Sequence, residues 1–468
     1  MLPDLVLLGV FDFYLSWIES CQWKTLVHVC RKWRTVVFGS PRRLKLQLVC
    51  FDRTSVKKMV DVWPQFLPII VFAWARQWAV DNIIVALRLN DRVCEVSLSE
   101  ASRSKLEVIL AAMQKPFPAL THLRLGFKDE FEAGQWPFTP LTRLQLGIEE
   151  ETPPVVSTSF LGGSAPLLQH LSLIYLPFPG LPNLLLSTTH LVRLVLRRIP
   201  HSGYISPEAM VAGLVNLTRL ECLVIGFKSP LFLADRRPPP QTRTLLPVLT
   251  QLRFHGVAEY SEDLVARIDA PLLKDLSITF FYQDIFHTAQ LAQFISRTPR
   301  FSARDAARVV YSDCDFSVRL PQTCDGNLQL GISCCQPNWQ LLSLAQVCGS
   351  SFPRAFIPAV ERLYVFEDWP LRDRVRHWRD VNEISQWLEL FRPFSAVKDL
   401  HICREFTPLI APALQELVGE RVTEVLPALQ TIFFEEQLSS ERVQETVGQF
   451  VAARQLAGHP ITISLWER

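Results

Sequence analysis

The chain has 468 residues, of which 49% are hydrophobic and 20% charged, a globular balance that excludes a disordered or fibrous chain. Its 48 Lys and Arg nearly cancel its 46 Asp and Glu, leaving +2, too even for bulk attraction to nucleic acid or to an anionic membrane. Prolines number 33 against 18 glycines, which predicts many short elements joined by stiff connections.

At the N-terminus, LPDLVLLGVFDFYL reads as a helix with apolar groups nearly all round it: Leu5 and Leu8 on one side, Leu7, Val10, Phe11 and Tyr14 on another. It has no basic n-region and carries Asp4 and Asp12, so it is not a secretory signal, and the 11 cysteines then read as reduced thiols of a cytoplasmic or nuclear protein. A second helical run covers Trp23 to Phe38, with Leu26, Val29, Cys30, Trp33 and Val37 at helical spacing, and Gly39-Ser40-Pro41 breaks it. A helical module of about fifty residues, 1–50, cannot hide so much apolar surface within itself, so part of it should face a partner. Residues 51–90 are expected as a helical linker or cap. The longest apolar run, Phe66 to Ala75, contains Pro68 and falls short of the ~18 residues that a membrane crossing needs.

From residue 91 to 468 one pattern recurs, apolar-x-x-apolar-x-apolar. It appears at Val93/Val96/Leu98, Leu120/Leu123/Leu125, Leu141/Leu144/Leu146, Leu168/Leu171/Leu173 and Leu191/Leu194/Leu196. It continues at Leu220/Leu223/Ile225, Leu249/Leu252/Phe254 and Leu273/Leu276/Ile278. A weaker copy, Ala306/Val309/Tyr311, precedes Val360/Leu363/Val365, Val397/Leu400/Ile402 and Leu429/Ile432/Phe434. Successive last anchors from Leu98 to Ile278 lie 21 to 29 residues apart, and the alternating stretch NLQLGIS sits in the wide gap after Tyr311. The last two anchors of each copy are two residues apart, so both point to one face of a short strand. Such a strand is stable only when stacked against its neighbours, which is the logic of a leucine-rich repeat. The Asn or Cys that usually follows three residues after the last anchor is missing, with Ala101, Lys128 and Glu149 in its place.

The returning segments carry helix signals. Ser104-Lys105-Leu106-Glu107 has the spacing of a capping box, and Ser206-Pro207-Glu208 that of a cap followed by proline. DVNEISQWLELF and RVQETVGQFVAARQL have helical periodicity, the second ending at Gly458, and ITISLW alternates as a final strand. LPFPGLPNLL reads as a proline loop, and RRPPPQTR, from Arg236 to Arg243, as a flexible insertion.

Leu2-Pro3-Asp4, Leu7-Leu8, Val10-Phe11 and then Val29-Cys30-Arg31-Lys32-Trp33 together resemble the F-box, and the whole chain resembles fungal F-box proteins with degenerate leucine-rich repeats, including stretches such as FLGGSAP, SGYISPEAM and ARIDAPLL. One feature departs from the common pattern: DFYLSWIESCQWKT lengthens the link between the two matched blocks. The resemblance implies an α/β protein in which a small three-helix module precedes an irregular solenoid, with a curved, mainly parallel sheet and helices or loops on its convex side. It also implies docking on the Skp-type linker subunit of a cullin–RING ubiquitin ligase complex, with Leu2, Pro3, Leu7, Leu8, Phe11, Leu26, Val29, Cys30 and Trp33 as the docking residues.

Catalytic motifs are missing: there is no G-x-x-x-x-G-K-[ST], G-x-G-x-x-G, H-E-x-x-H or G-x-S-x-G, and Gly162-Gly163-Ser164-Ala165-Pro166 reads as a turn. The spacing of Cys324, Cys334 and Cys335 does not suit zinc, and no metal or cofactor is expected. The outward positions of the repeat strands are His122, Arg124, Arg143, Gln145, His170, Arg193, Arg197, Gln251, Arg253 and His255, five arginines and no carboxylate. Arginine forks suit carboxylates and phosphates, so the expected partner on this concave face is an acidic or phosphorylated protein segment. The functional expectation is a non-enzymatic substrate adaptor of a ubiquitin ligase, with no nucleic-acid or membrane partner. The alternative is a repeat scaffold or inhibitor with no ligase role.

Overall fold

The computed structural model describes residues 2–17, 23–51, 55–73, 80–128, 151–230, 242–312, 315–322, 326–333, 337–367, 384–417, 419–435 and 441–466. The chain divides into two compact units, Met1–Tyr204 and Ile205–Arg468.

The first unit opens with three helices, α1 (Asp4–Trp17), α2 (Trp23–Val29) and α3 (Arg31–Gly39). The single helix expected over residues 23–38 is broken at Cys30, which is extended (φ −160, ψ 168) and caps α3 by accepting the Trp33 N–H on its Sγ at 3.5 Å. A thiol is a weak acceptor, so no ordinary cap residue marked the break. Next come β1 (Leu48–Phe51), α4 (Val56–Val62), β2 (Ile69–Ala73), α5 (Val80–Leu87), β3 (Val93–Ala101), α6 (Arg103–Ala112), β4 (His122–Phe127), β5 (His170–Ile174) and β6 (Arg193–Ile199). These six strands are neighbours in chain order, every pair parallel. The 51–90 segment is therefore not a helical cap alone. Its apolar run is β2, with Ile69, Val71 and Ala73 turned into the core, which adds a repeat ahead of the first L-x-x-L-x-L match.

The second unit contains β7 (Cys222–Phe227), β8 (Thr244–Leu245), β9 (Gln251–Gly256), β10 (Ile268–Asp269), β11 (Asp275–Phe281), β12 (Ala306–Ser312), β13 (Asp315–Pro321), β14 (Asn327–Ser333), β15 (Arg362–Glu367), β16 (Asp399–Ile402), β17 (Thr431–Phe434) and β18 (Thr462–Leu465). Its sheet runs β7-β9-β11-β14-β13-β12-β15-β16-β17-β18, and β8 pairs with β10 in a separate two-stranded sheet. Pairing is parallel except for the antiparallel β12–β13 and β13–β14 pairs. So NLQLGIS is a strand, yet it lies beside β11, while the weaker repeat copy lies beside β15 with β13 between them. Helices Pro337–Ser351 and Ala258–Ala266 lie against β13–β14 and β9.

Both units are thus long, mainly parallel sheets built from repeated strands. Within the described residues the strand anchors are buried, Leu123, Leu194, Leu252, Leu276, Leu363 and Ile432 among them. The Leu141/Leu144/Leu146 copy lies outside the described residues. A backbone device recurs just before the strands. The N–H groups of Gln169 and His170 both donate to the Thr121 carbonyl, those of Lys274 and Asp275 to Thr250, and those of Lys398 and Asp399 to Glu361. One carbonyl with two lone pairs therefore fixes the register of the following repeat, in a chain that lacks the side-chain ladder.

Some helix signals moved. The capping box at Ser104 does not form: α6 begins at Arg103 after Ser102, and Glu107 pairs instead with Arg103 at 2.9 Å. Ser206 does cap helix Pro207–Leu214, accepting the Ala209 N–H at 3.2 Å. LPFPGLPNLL is not all loop, since Leu181–Ser187 is a helix with its proline in the first turn, where no N–H is needed. RRPPPQTR lies almost wholly outside the described residues. At the FLGGSAP turn Gly162 has φ +66, and a Cβ there would meet Pro116 at 2.7 Å.

Candidate functional site

Two kinds of surface stand out, the helical head of the first unit and the outward faces of the two sheets. In the head, the expected docking residues separate into two sets. Leu7, Leu8, Phe11 and Leu26 are buried, and Phe11 meets the half-buried Trp33 edge-on at 4.7 Å. These residues hold the bundle together. Leu2, Pro3, Val29 and Cys30 are exposed. Sequence reasoning missed the rest of the exposed face: Leu5 is 75% and Phe13 66% exposed, with Val6 and Val10 between them. Positions 2, 5, 6, 10 and 13 form one stripe at helical spacing, and Gly9 within it has open space around its Cα. Lys32 ties this helix to α3, with Nζ 3.3 Å from the Asp4 carboxylate and donating to the Leu2 carbonyl at 2.8 Å.

The head is joined to the first repeat through aromatic rings. Trp23 is fully buried, donates from Nε1 to the Gln47 carbonyl at 2.9 Å, and meets Trp63 at 5.0 Å and Phe38 at 6.0 Å. Beside these rings an open cleft of about 570 Å³ is lined by His28, Arg34, Phe38, Asp61 and Trp63.

On the first unit's sheet, strand register places Glu95, His122, His170 and Arg193 in one cross-strand row. The imidazoles of His122 and His170 stack at 4.3 Å, and Thr121 Oγ1 shares a 2.9 Å hydrogen bond with His122 Nδ1. Arg124 lies in the next row between Ser97 and Ser172, and Arg197 in the row beyond. Arg124, Arg193 and Arg197 are exposed and have no ion pair among the described residues, so a positive outward face is present here. Arg143 and Gln145 lie outside the described residues. In the second unit Arg253 pairs with Asp275 of the adjoining strand at 3.4 Å, while Gln251 donates to the same carboxylate at 2.6 Å. His255 is half-buried against Phe281 at 4.6 Å.

The middle row of the second sheet was not foreseen. Register aligns Arg253, Ser277, Gln329, Arg319, Arg308, Tyr364, His401 and Phe433 across eight strands. Tyr364 stacks on His401 at 4.3 Å, His401 on Phe433 at 4.3 Å, and Trp466 meets His401 edge-on at 5.3 Å. Nearby, Cys403, Glu405 and Glu435 hold donor atoms within 4.8 Å of one another. Burial and the Glu405 carboxylate push the Cys403 thiol up to about 12, and Glu435 accepts the Arg404 N–H, so these groups are already engaged in the turn after β16. Burial likewise raises the Cys50 and Cys94 thiols to about 11.

No protein-family model matches the chain, and no curated protein sequence does. A solved structure of a TLR13–ssRNA13 complex is similar to it, at 12% identity and a TM-score of 0.33, covering 90% of this chain. The chain spans about half of that one, 49%. No helix among the described residues is long and apolar enough to cross a membrane.

Proposed function

We propose that this protein is the substrate-recognition adaptor of a cullin–RING ubiquitin ligase, with its helical head docking on the Skp-type linker and its repeat sheets holding the protein to be modified. The observation that carries the reading is the two-sided character of α1. One side, with Leu7, Leu8 and Phe11, closes the bundle, and the other leaves Leu2, Leu5, Val6, Val10 and Phe13 exposed, as is Val29 of α2. Burying a leucine or phenylalanine side chain contributes about 1.5–3 kcal/mol, so a stripe of this size supports a stable protein interface. The chain supplies no chemistry. Its contribution is proximity, placing a bound target beside a ubiquitin-charged enzyme. Arg124, Arg193 and Arg197 are the residues of the first sheet that suit an acidic or phosphorylated target.

Purified full-length protein mixed with the Skp-type linker is expected to give a stable complex on size exclusion. Leu5→Asp together with Val10→Asp should weaken it at least tenfold with no loss of fold by circular dichroism, because both side chains are already exposed. Failure of the unmodified protein to bind the linker would leave the scaffold or inhibitor reading, and undiminished binding by the double variant would place the docking surface elsewhere.

A further inference from the structure

The first sheet sets three arginines in a triangle on one face. Register puts Arg124 of β4 in line with Ser172 of β5 and Val195 of β6, and Arg193 and Arg197 flank Val195 two residues away on either side. Alternate residues of a strand share a face, so the three cations and Ser172 point the same way. All three arginines are exposed, and none makes a side-chain hydrogen bond or ion pair among the described residues. Glu95, in the row of His122 on β3, pairs with none of them. Arg253 and Arg362 of the second sheet, by contrast, meet the carboxylates of Asp275 and Asp305. Strands lie about 4.8 Å apart and rise about 3.3 Å per residue, which spaces the arginine Cα atoms by about 12–13 Å. The ground between them is uncharged, with Ser172 half-buried and Val195 buried. Grouped like charges repel, and an anionic partner relieves that repulsion on binding.

We propose that the triangle binds an extended acidic segment of a partner protein through carboxylates at alternate positions, the outer two on Arg193 and Arg197 and the middle one on Arg124, with no need for phosphorylation. The inference deepens the reading of the first sheet as a target-binding face and rests on that part of it. Arg193 and Arg197 are four residues apart on β6, so an extended ligand laid over β5 and β6 at the same rise meets them with its residues i and i+4. Residue i+2 then points down over Ser172 and Val195, toward Arg124, while i+1 and i+3 face solvent. The dispersed charge favours separate carboxylates over one phosphate. A phosphate gathers its charge at one point and would draw three like charges together, whereas each carboxylate takes one guanidinium fork where it stands. Peptide is also favoured over single-stranded nucleic acid. Bases need ring faces to stack on, and the rings beside the triangle, His122 and His170, are already stacked on each other at 4.3 Å.

The test is an array of nine-residue peptides probed with the purified full chain, holding Glu or Gln at i, i+2 and i+4 in every combination, with phosphoserine and shifted spacings alongside. Each Glu is expected to strengthen binding about threefold, as an exposed ion pair does. Glu at i and i+3 should bind no better than a single Glu, because the second faces away. Arg193→Gln and Arg197→Gln should each erase the preference at one end of the peptide, and Arg124→Gln the preference in the middle. Arg193→Glu should turn the preference at its end from Glu to Lys. Circular dichroism should be unchanged in all four variants, whose altered side chains are exposed. The array contains no linker subunit, so its failure is distinct from failure of ligase docking: a chain that selects these peptides but binds no linker keeps this inference and loses only the ligase role. Indifference to spacing, arginine variants with unaltered selection, binding that requires phosphoserine where Glu gives none, or arginine-dependent binding of a labelled oligouridylate in place of peptide would each overturn the proposal.

Discussion

The first unit lays its six strands side by side in the order they are made, whereas the second folds a three-strand antiparallel meander into the middle of its sheet. In the first, each strand reaches its place by a return segment, and the outward residues of neighbouring strands were spaced by a whole repeat. In the second, β12, β13 and β14 follow one another closely in the sequence, and residues close in sequence come face to face. That is how Arg308 meets Arg319 only eleven positions on. The lesson is that an inserted hairpin keeps the buried pattern of a repeat while presenting a different outward face.

The sharpest test of that lesson is to empty one core position in each region. Leu194 in β6 and Leu330 in β14 are both fully buried. If the meander is as integral to its core as a regular repeat, Leu194→Ala and Leu330→Ala should each cost about 2–5 kcal/mol in urea unfolding. A cost below about 1 kcal/mol at Leu330 alone would show that the meander is laid on the core and does not form part of it.

What the sequence made legible follows from the same contrast. The anchors at Leu123, Leu194 and Leu363 were readable because alternation by two fixes which face of a strand is buried, however the strand is paired. Alternation says nothing about which strand lies next to which, or in what direction. NLQLGIS could therefore be seen as a strand without its place beside β11, and DFSVRLP, with no repeat signature, was not seen at all. The head failed for another reason. Its first helix is apolar nearly all round, so no stripe marks the buried side, and Leu7 could not be told from Leu5. Cys30 hid a helix break because a thiol cap has no strong sequence preference.

A smaller effect is expected where the second unit departs from leucine packing. Helix Glu441–Leu456 carries Arg454, fully buried, whose guanidinium donates to the carbonyls of Val422 at 3.0 Å, Pro427 at 3.3 Å and Leu429 at 3.0 Å. This one side chain fastens the helix to the loop before β17, as an apolar anchor would do elsewhere. Arg454→Met keeps much of the volume but strands those carbonyls, and should cost about 2–3 kcal/mol by thermal unfolding. A neutral or stabilising result would show that packing, not hydrogen bonding, fastens this end.

The smallest effect compares the two histidine stacks. His122 and His170 lie on each other with Thr121 bonded to His122 Nδ1, while His401 is sandwiched between Tyr364 and Phe433 with its Nδ1 buried and lacking a hydrogen-bond partner. Burial holds His401 below the ordinary histidine range, against the pull of Asp399, and the Arg362 guanidinium from β15 adds to the lowering. The unfolded chain then takes up this proton at a higher pH than the folded one does. Stability from this group is intact above the unfolded value of about 6.5 and falls as the pH drops through it toward the lower folded value. Melting temperature measured from pH 7.5 to 5.5 should therefore decline on acidification, and His401→Phe, which keeps the stack without the proton site, should make the decline shallower. The equivalent change at His122 removes an imidazole bonded to Thr121 and is expected to lower the melting temperature at pH 7.5. An unchanged slope in His401→Phe would mean that the ring takes its proton within the stack, and that the aromatic strip of the second sheet is wetter than its geometry implies.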